Sequence, residues 1–311
     1  MNEPEMKPIL ILTDGKAGHE NQSKAFARAM DRSCDVIAVR FRSRIAKALS
    51  YILDWLGVHT TQVFEDPGRL DGIDTTAYGA VIGTGSGTFY AAKAFARRFG
   101  VPCGVVLYPR GYRVGTFDCV LAPAFDRPKK SANVIEIPAN LVANDAAFYD
   151  RGVSAFRERT NVVPEIAVIV GGPNKCSTMT ADWMKRQLDE IFRNPGAKAV
   201  TTSRRTPPEV EAVVESYPWD YKLVYSKDHF NPIPAFVKLA KRLYVTAEST
   251  GMLSEACMFG AAEVFALDNL KPGPHKFRRF LDGLVAGGYV NGSRKIDLTE
   301  QFESARRLLC L

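Results

Sequence analysis

An α/β protein of two successive units, each built on a parallel sheet, is predicted by three features of the sequence. Short β-branched runs alternate with stretches of helical periodicity. The alternation halts at a polar, charged segment and then begins afresh, and several runs end in the small residues that turn a strand into a helix.

In chain order the first series is PILILT with the helical NQSKAFARAM, then DVIAVRF, then YGAVIG with TFYAAKAFARRFG, then VPCGVVLY, DCVLAP and NVIEIP. The polar segment RGVSAFRERTNVVPE follows and places a boundary near 151–164. The second series is EIAVIVGG, a helix around TADWMKRQLDEIF, AKAVTTS, a helix around PPEVEAVVESY, YKLVYS, a helix around PIPAFVKLAKR, LYVTAES, a helix from Gly251, and AEVFAL. The expected units are therefore 1–155 and 156–296, with 297–311 as a terminal segment.

Composition bounds what such a chain does. Its 311 residues, 46% hydrophobic and 24% charged, suffice for a sizeable core in two domains. No apolar run approaches the roughly 20 residues that cross a bilayer, and the start MNEPEMKPILILT is acidic where a secretory signal is basic, so a cytoplasmic location is expected. Cys34, Cys103, Cys119, Cys176, Cys257 and Cys310 show no C-x-x-C spacing and read as reduced thiols. A net charge of +7 favours anionic partners. Nucleic acid is not among those expected, because the charge is spread along the chain without an aromatic-interleaved basic module.

In a parallel sheet the ligand lies beyond the carboxyl ends of the strands, so the turns there are the places to look. Four stand out: TDGKAGHENQ (13–22), GTGSGT (83–88), GGPNK (171–175) and TAESTG (246–251). The last opens a helix on Ser249, Thr250 and Gly251, whose free N–H groups make an anion site, with Glu255 one turn further on. In GGPNK the glycines Gly171 and Gly172 permit close backbone approach and Lys175 offers charge to a phosphate. Arg204 and Arg205 in TTSRRTPP add a guanidinium fork after the next strand. The glycines of GTGSGT lack the G-x-G-x-x-G spacing and an acidic residue about 20 positions on, which argues against a nicotinamide dehydrogenase. His19, His59, His229 and His275 are far apart, and H-E-x-x-H and D-x-D are absent, so neither a metal nor another cofactor is called for.

Residues 40–57 form a different kind of element. Phe41, Ile45, Leu49, Ile52 and Leu56 lie on roughly one helical face, with Arg40, Arg42, Arg44 and Lys47 at one end. Such a stripe either packs on a core or lies against an anionic membrane surface, which would make the protein peripheral on the inner membrane.

Taken together, LTDGKAGHENQ, VGGPNK, TTSRRTPPE, VTAESTGMLSEA and KFRRF, in that order over most of the chain, resemble the mitochondrial-fission ELM family of bacterial and plant proteins. The chain departs from it with Phe125-Asp126 after the strand at 118–122 and with PANLVAND in the following turn. The resemblance implies a GT-B-like fold, two Rossmann-like domains facing each other across a cleft, as in the N-acetylglucosamine transferase of peptidoglycan synthesis. It also implies that 297–311 returns as a helix to the first domain, through Phe302, Ala305, Leu308 and Leu309.

On that resemblance the expected activity is metal-independent sugar transfer from a nucleotide-activated donor to a lipid-linked or envelope acceptor. Ser249, Thr250 and Gly251 would hold the diphosphate, Glu255 the ribose hydroxyls, and Gly171, Gly172, Lys175, Arg204 and Arg205 would complete the donor site. His19, at a helix start and held neutral by burial and the helix dipole, is the candidate base for the acceptor hydroxyl. Asp14 is the alternative base or the group that orients His19. A nucleotide-sugar epimerase of the same fold and a non-catalytic scaffold of the ELM type are the competing readings.

Overall fold

A computed structural model describes residues 6–311; the acidic start MNEPE lies outside the described residues. Its strands fall where the β-branched runs do. In chain order the elements are β1 (Ile9–Thr13), α1 (Ala17–Ala29), β2 (Cys34–Ala38), α2 (Arg44–Leu56), α3 (Pro67–Asp71), β3 (Ala80–Thr84), α4 (Phe89–Phe99), β4 (Cys103–Val106), β5 (Cys119–Pro123), β6 (Val134–Ile137) and α5 (Ala146–Arg157). They continue with β7 (Ile166–Ile169), α6 (Ala181–Phe192), β8 (Lys198–Thr201), α7 (Pro208–Glu215), β9 (Tyr221–Leu223), α8 (Ile233–Leu239), β10 (Arg242–Thr246), α9 (Thr250–Met258), β11 (Glu263–Leu267), α10 (Lys276–Ala286) and α11 (Thr299–Leu309).

The strands make two all-parallel sheets, ordered β2-β1-β3-β4-β5-β6 and β11-β10-β7-β8-β9. Central strands such as β1, β3 and β7 are buried along their whole length, as strands covered by helices on both faces must be. This burial explains why ILILT and IAVI read as continuous apolar runs rather than alternating ones.

One unit runs to Ala143 and resumes at Leu298–Leu311; the other is Asn144–Asp297. The 151–164 stretch expected to separate them falls on and just after α5. Asp145 caps that helix by accepting from the Phe148 N–H, and Tyr149 and Phe156 are buried from it, with the Phe156 ring 5.8 Å from Phe236 of α8. Its polar surface concealed a helix of the second unit. The last helix, α11, packs on β5 and β6 with Ala305 and Leu309 buried, whereas Phe302 and Leu308 are only partly so.

Each sheet has one place where the chain reverses its direction of growth. In the first, β1 is followed by β2 on one side and β3 on the other; in the second, β7 is followed by β8 and β9 on one side and by β10 and β11 on the other. Loops leave in opposite directions at such a point and open a crevice above the sheet. The crevices lie at β1/β3 and β7/β10.

Candidate functional site

At β1/β3 the loop after β1 carries Asp14 and His19, and the glycine turn after β3 lies against them. His19 Nδ1 is 3.1 Å from both carboxylate oxygens of Asp14, and Lys16 Nζ donates to Asp14 Oδ2 at 2.6 Å. Asp14 therefore stands where a carboxylate can orient the His19 ring. A carboxylate on Nδ1 fixes the ring and leaves Nε2 for chemistry. Burial opposes ionisation of Asp14, but Lys16 and His19 outweigh it and hold the carboxyl below its ordinary value.

The glycines of GTGSGT, expected to shape the acceptor side or the switch point of the sheet, lie against this pair. A Cβ on Gly85, which sits at φ +83°, would lie 2.4 Å from the His19 ring, and one on Gly87 would lie 2.6 Å from Asp14 Cβ. Both positions must be glycine for the pair to fit. A cavity of about 270 Å³ opens beside Asp14, lined also by Arg40, Glu65, Asp66 and Arg69.

At β7/β10 the helix end expected to meet an anion is the start of α9. No side chain caps its first turn, so the N–H groups of Thr250, Gly251 and Met252 have no partner within the helix. Ser249 is buried at its start, Gly251 is exposed, and a Cβ on Gly251 would meet nothing within 4 Å. The space above this helix end is open, as an incoming anion requires. Lys175, Arg204 and Arg205 are exposed in the neighbouring loops, and none of their charged groups is engaged by another described side chain.

Gly171 and Gly172 are closely approached by other parts of the chain. The Gly171 N–H already donates to Thr246 Oγ1 at 2.8 Å, and a Cβ there would sit 2.1 Å from Glu248 Oε1. A Cβ on Gly172 would lie 2.2 Å from the Arg205 carbonyl oxygen. These glycines make room for Glu248 and for the arginine loop.

Glu255 is held rather than free. Its Oε1 accepts from Asn144 Nδ2 and from Tyr149 OH, both at 3.0 Å, and both partners lie at the start of the second unit, in or just before α5. Burial raises the Glu255 carboxyl, with Tyr149 and Asn144 opposing the shift. Both of these hydrogen bonds go to Oε1. Glu248, unremarked as a site residue in the sequence, is also raised by burial, against the favourable Asn269 amide and Thr246 hydroxyl nearby.

The 40–57 segment does not pack its apolar stripe on the core. In α2 the buried positions are Ala46, Ser50 and Asp54, while Ile45, Leu49, Ile52, Trp55 and Leu56 are 80%, 43%, 56%, 72% and 60% exposed. The helix is inverted because its polar side is claimed from within. Asp54 Oδ1 takes Lys93 Nζ at 2.6 Å, its Oδ2 takes the Arg113 N–H at 2.7 Å, and Ser50 Oγ lies 2.9 Å from Tyr112 OH. Burial alone would raise Asp54, but hydrogen bonds from His59, Lys93 and the Arg113 N–H bring it down to about 2. Once that ion pair sets the rotation of α2, the helical period turns the apolar face to solvent. Phe41 alone of the stripe packs inward, its ring 4.7 Å from Phe64.

No described helix is long and apolar enough to cross a membrane, and no described cluster of His, Cys, Asp and Glu has the makings of a metal site.

No protein of curated function matches the sequence. The family model for mitochondrial fission ELM1 matches residues 17–307. Among solved structures, a putative UDP-N-acetylglucosamine 2-epimerase from Listeria monocytogenes is similar with a TM-score of 0.55 at 12% identity, over 98% of this chain and 88% of that one. Medicago truncatula UGT71G1, complexed with UDP-glucose, gives 0.53 at 9% identity over 98% and 90%. At such identities the likeness is one of fold, and the fold is GT-B-like.

Proposed function

From the premise that the chain belongs to the mitochondrial fission ELM1 family, we propose that it is a glycosyltransferase taking a sugar from a nucleotide-activated donor. The observation that carries this reading is the uncapped, open N-terminus of α9 beside the β7/β10 crevice, with a held carboxylate, Glu255, one turn along the same helix. A diphosphate satisfies the free N–H groups and the positive helix end, and the exposed Lys175, Arg204 and Arg205 supply countercharge. Basic groups and a helix end can stabilise the leaving diphosphate without a metal. In the first unit, His19, oriented by Asp14, takes the proton of the acceptor hydroxyl through Nε2 as that oxygen attacks the anomeric carbon.

The inverted α2 favours transfer over epimerisation. Its exposed apolar face, with Arg40, Arg42, Arg44 and Lys47 at one end, suits an anionic membrane surface and therefore a lipid-linked acceptor. An epimerase of the same fold binds the same donor but consumes it with no acceptor, and a scaffold binds none.

The test is a thermal-shift screen of uridine, guanosine, adenosine and cytidine diphosphates and their sugars. Binding at 100 times Kd adds about 2.7 kcal/mol to the stability of the folded state. One nucleotide should raise the melting temperature selectively. A screen without any shift would remove the donor site and leave the scaffold.

A further inference from the structure

Among the described residues, the buried side-chain atoms without a hydrogen-bond partner are Gln22 Oε1, His59 Nδ1, Glu248 Oε2, Asn269 Nδ2 and Asn269 Oδ1. Three of these belong to two residues at the same place. Thr246 of β10 pairs in register with Leu267 of β11, and Glu248 and Asn269 each lie two residues beyond that pair, at the carboxyl edge of the sheet. They are 3% and 4% exposed.

Glu248 is held through Oε1 by the end of its own strand. Thr246 Oγ1 donates to its Oε1 at 3.0 Å while accepting the Gly171 N–H, and Gly171 has no Cβ because that carboxylate occupies the space. Asn269 is fixed through its backbone, whose carbonyl accepts the Thr178 N–H at 2.9 Å, and its amide faces the Glu248 carboxylate without closing a hydrogen bond to it. Leaving a buried polar group unpaired costs about 1–3 kcal/mol, and more for a charged one. Two such residues side by side, beside the crevice and next to the start of α9, are what a ligand group would satisfy.

The donor and acceptor inventory narrows the class of that group. Glu248 Oε2 offers an acceptor; Asn269 offers one donor centre and one acceptor, whichever way its amide is turned. A phosphate carries only acceptors and negative charge and would oppose Glu248. An ammonium carries only donors and would leave Asn269 Nδ2 unpaired. A neutral hydroxyl donates and accepts, and two adjacent hydroxyls fill all three positions.

We propose that Glu248 and Asn269 bind neighbouring hydroxyls of the sugar that the nucleotide donor carries, and so select that sugar. This rests on the donor-site reading above, and the experiment separates the two. Wild-type protein, Glu248→Gln and Asn269→Ala are titrated calorimetrically with the four nucleoside diphosphates and with their sugars, circular dichroism and thermal melts confirming that each variant is folded. Both variants should weaken the nucleotide sugar by about 10-fold or more, while the bare diphosphate stays within two-fold of wild type. If Glu248→Gln fails to fold, Asn269→Ala decides alone.

Wild-type sugar affinity in the folded variants would overturn the proposal and mark the pair as a site for buried water. Equal weakening of diphosphate and sugar would also overturn it, by moving the pair to the nucleoside. Wild-type protein that binds none of these ligands would overturn the donor-site reading and this inference with it.

Discussion

Replacing Ile52 and Trp55 of α2 together by glutamate should abolish the proposed membrane binding while leaving the fold intact. These side chains are 56% and 72% exposed, so the folded state loses little packing, and the expected stability change is within about 0.5 kcal/mol. The exposed parts of Ile45, Leu49, Ile52, Trp55 and Leu56 amount to roughly three full side chains, worth about 6 kcal/mol when removed from water at about 2 kcal/mol each. Arg40, Arg42, Arg44 and Lys47 add about 1 kcal/mol apiece near anionic lipid. Deleting the share of Ile52 and Trp55 costs about 3 kcal/mol, or roughly 100-fold in partitioning, before the repulsion of two new carboxylates is counted. Sedimentation with vesicles of graded phosphatidylglycerol content, repeated over a salt series, measures this directly. Wild-type protein should pellet with anionic vesicles and be released as salt rises, and the double variant should stay in the supernatant. Wild-type protein that ignores anionic vesicles at low salt, or a double variant that pellets equally well, would refute the reasoning.

The ion pair that turns α2 outward makes a second prediction. Lys93→Met strands Asp54, whose side chain is 1% exposed, and should cost about 3–5 kcal/mol in urea unfolding. Because the folded Asp54 carboxyl lies near 2 against an ordinary 3.8, its contribution is complete above the ordinary value and is lost as pH falls from there toward 2. That loss is worth about 2 kcal/mol; acid titration of the wild-type melting temperature should show it, and Lys93→Met should blunt it. His19→Ala should lower turnover on an identified acceptor by about 100-fold to 10,000-fold with donor affinity nearly unchanged, and retention of turnover within a few-fold would make the histidine structural. Gly85→Ala should act on the same step, because its Cβ would displace the His19 ring, and stopped-assay rates as low as those of His19→Ala are the expected outcome.

The sheets were legible because parallel strands buried on both faces leave continuous β-branched runs, and every such run, from PILILT to AEVFAL, became a strand. The helix α5 was not, because its surface is largely polar and it buries only Tyr149 and Phe156. The inversion of α2 was also out of reach. A helix whose apolar stripe is visible in the sequence faces the core unless a buried charge claims its other side, and Lys93, the partner of Asp54, is 39 residues away. At the candidate sites, sequence position gave the loops, since strand ends are where a parallel sheet presents its chemistry. It did not give the partners: Gly85 against His19, Gly171 against Glu248, and Tyr149 on Glu255 are contacts between segments far apart in the chain.

The central claim is that the α9 end of the second unit binds a nucleoside diphosphate. It is tested most directly by isothermal titration of wild-type protein, Gly251→Val and Glu255→Ala with the diphosphate and nucleotide sugar that stabilise the fold. Gly251 has open space above it, so valine there should fold normally and block the approach of the phosphates, weakening both ligands. Glu255→Ala removes a charged hydrogen bond worth about 1.5–3 kcal/mol, which is roughly a 10-fold to 100-fold loss of affinity. Wild-type affinity in both folded variants would contradict the account.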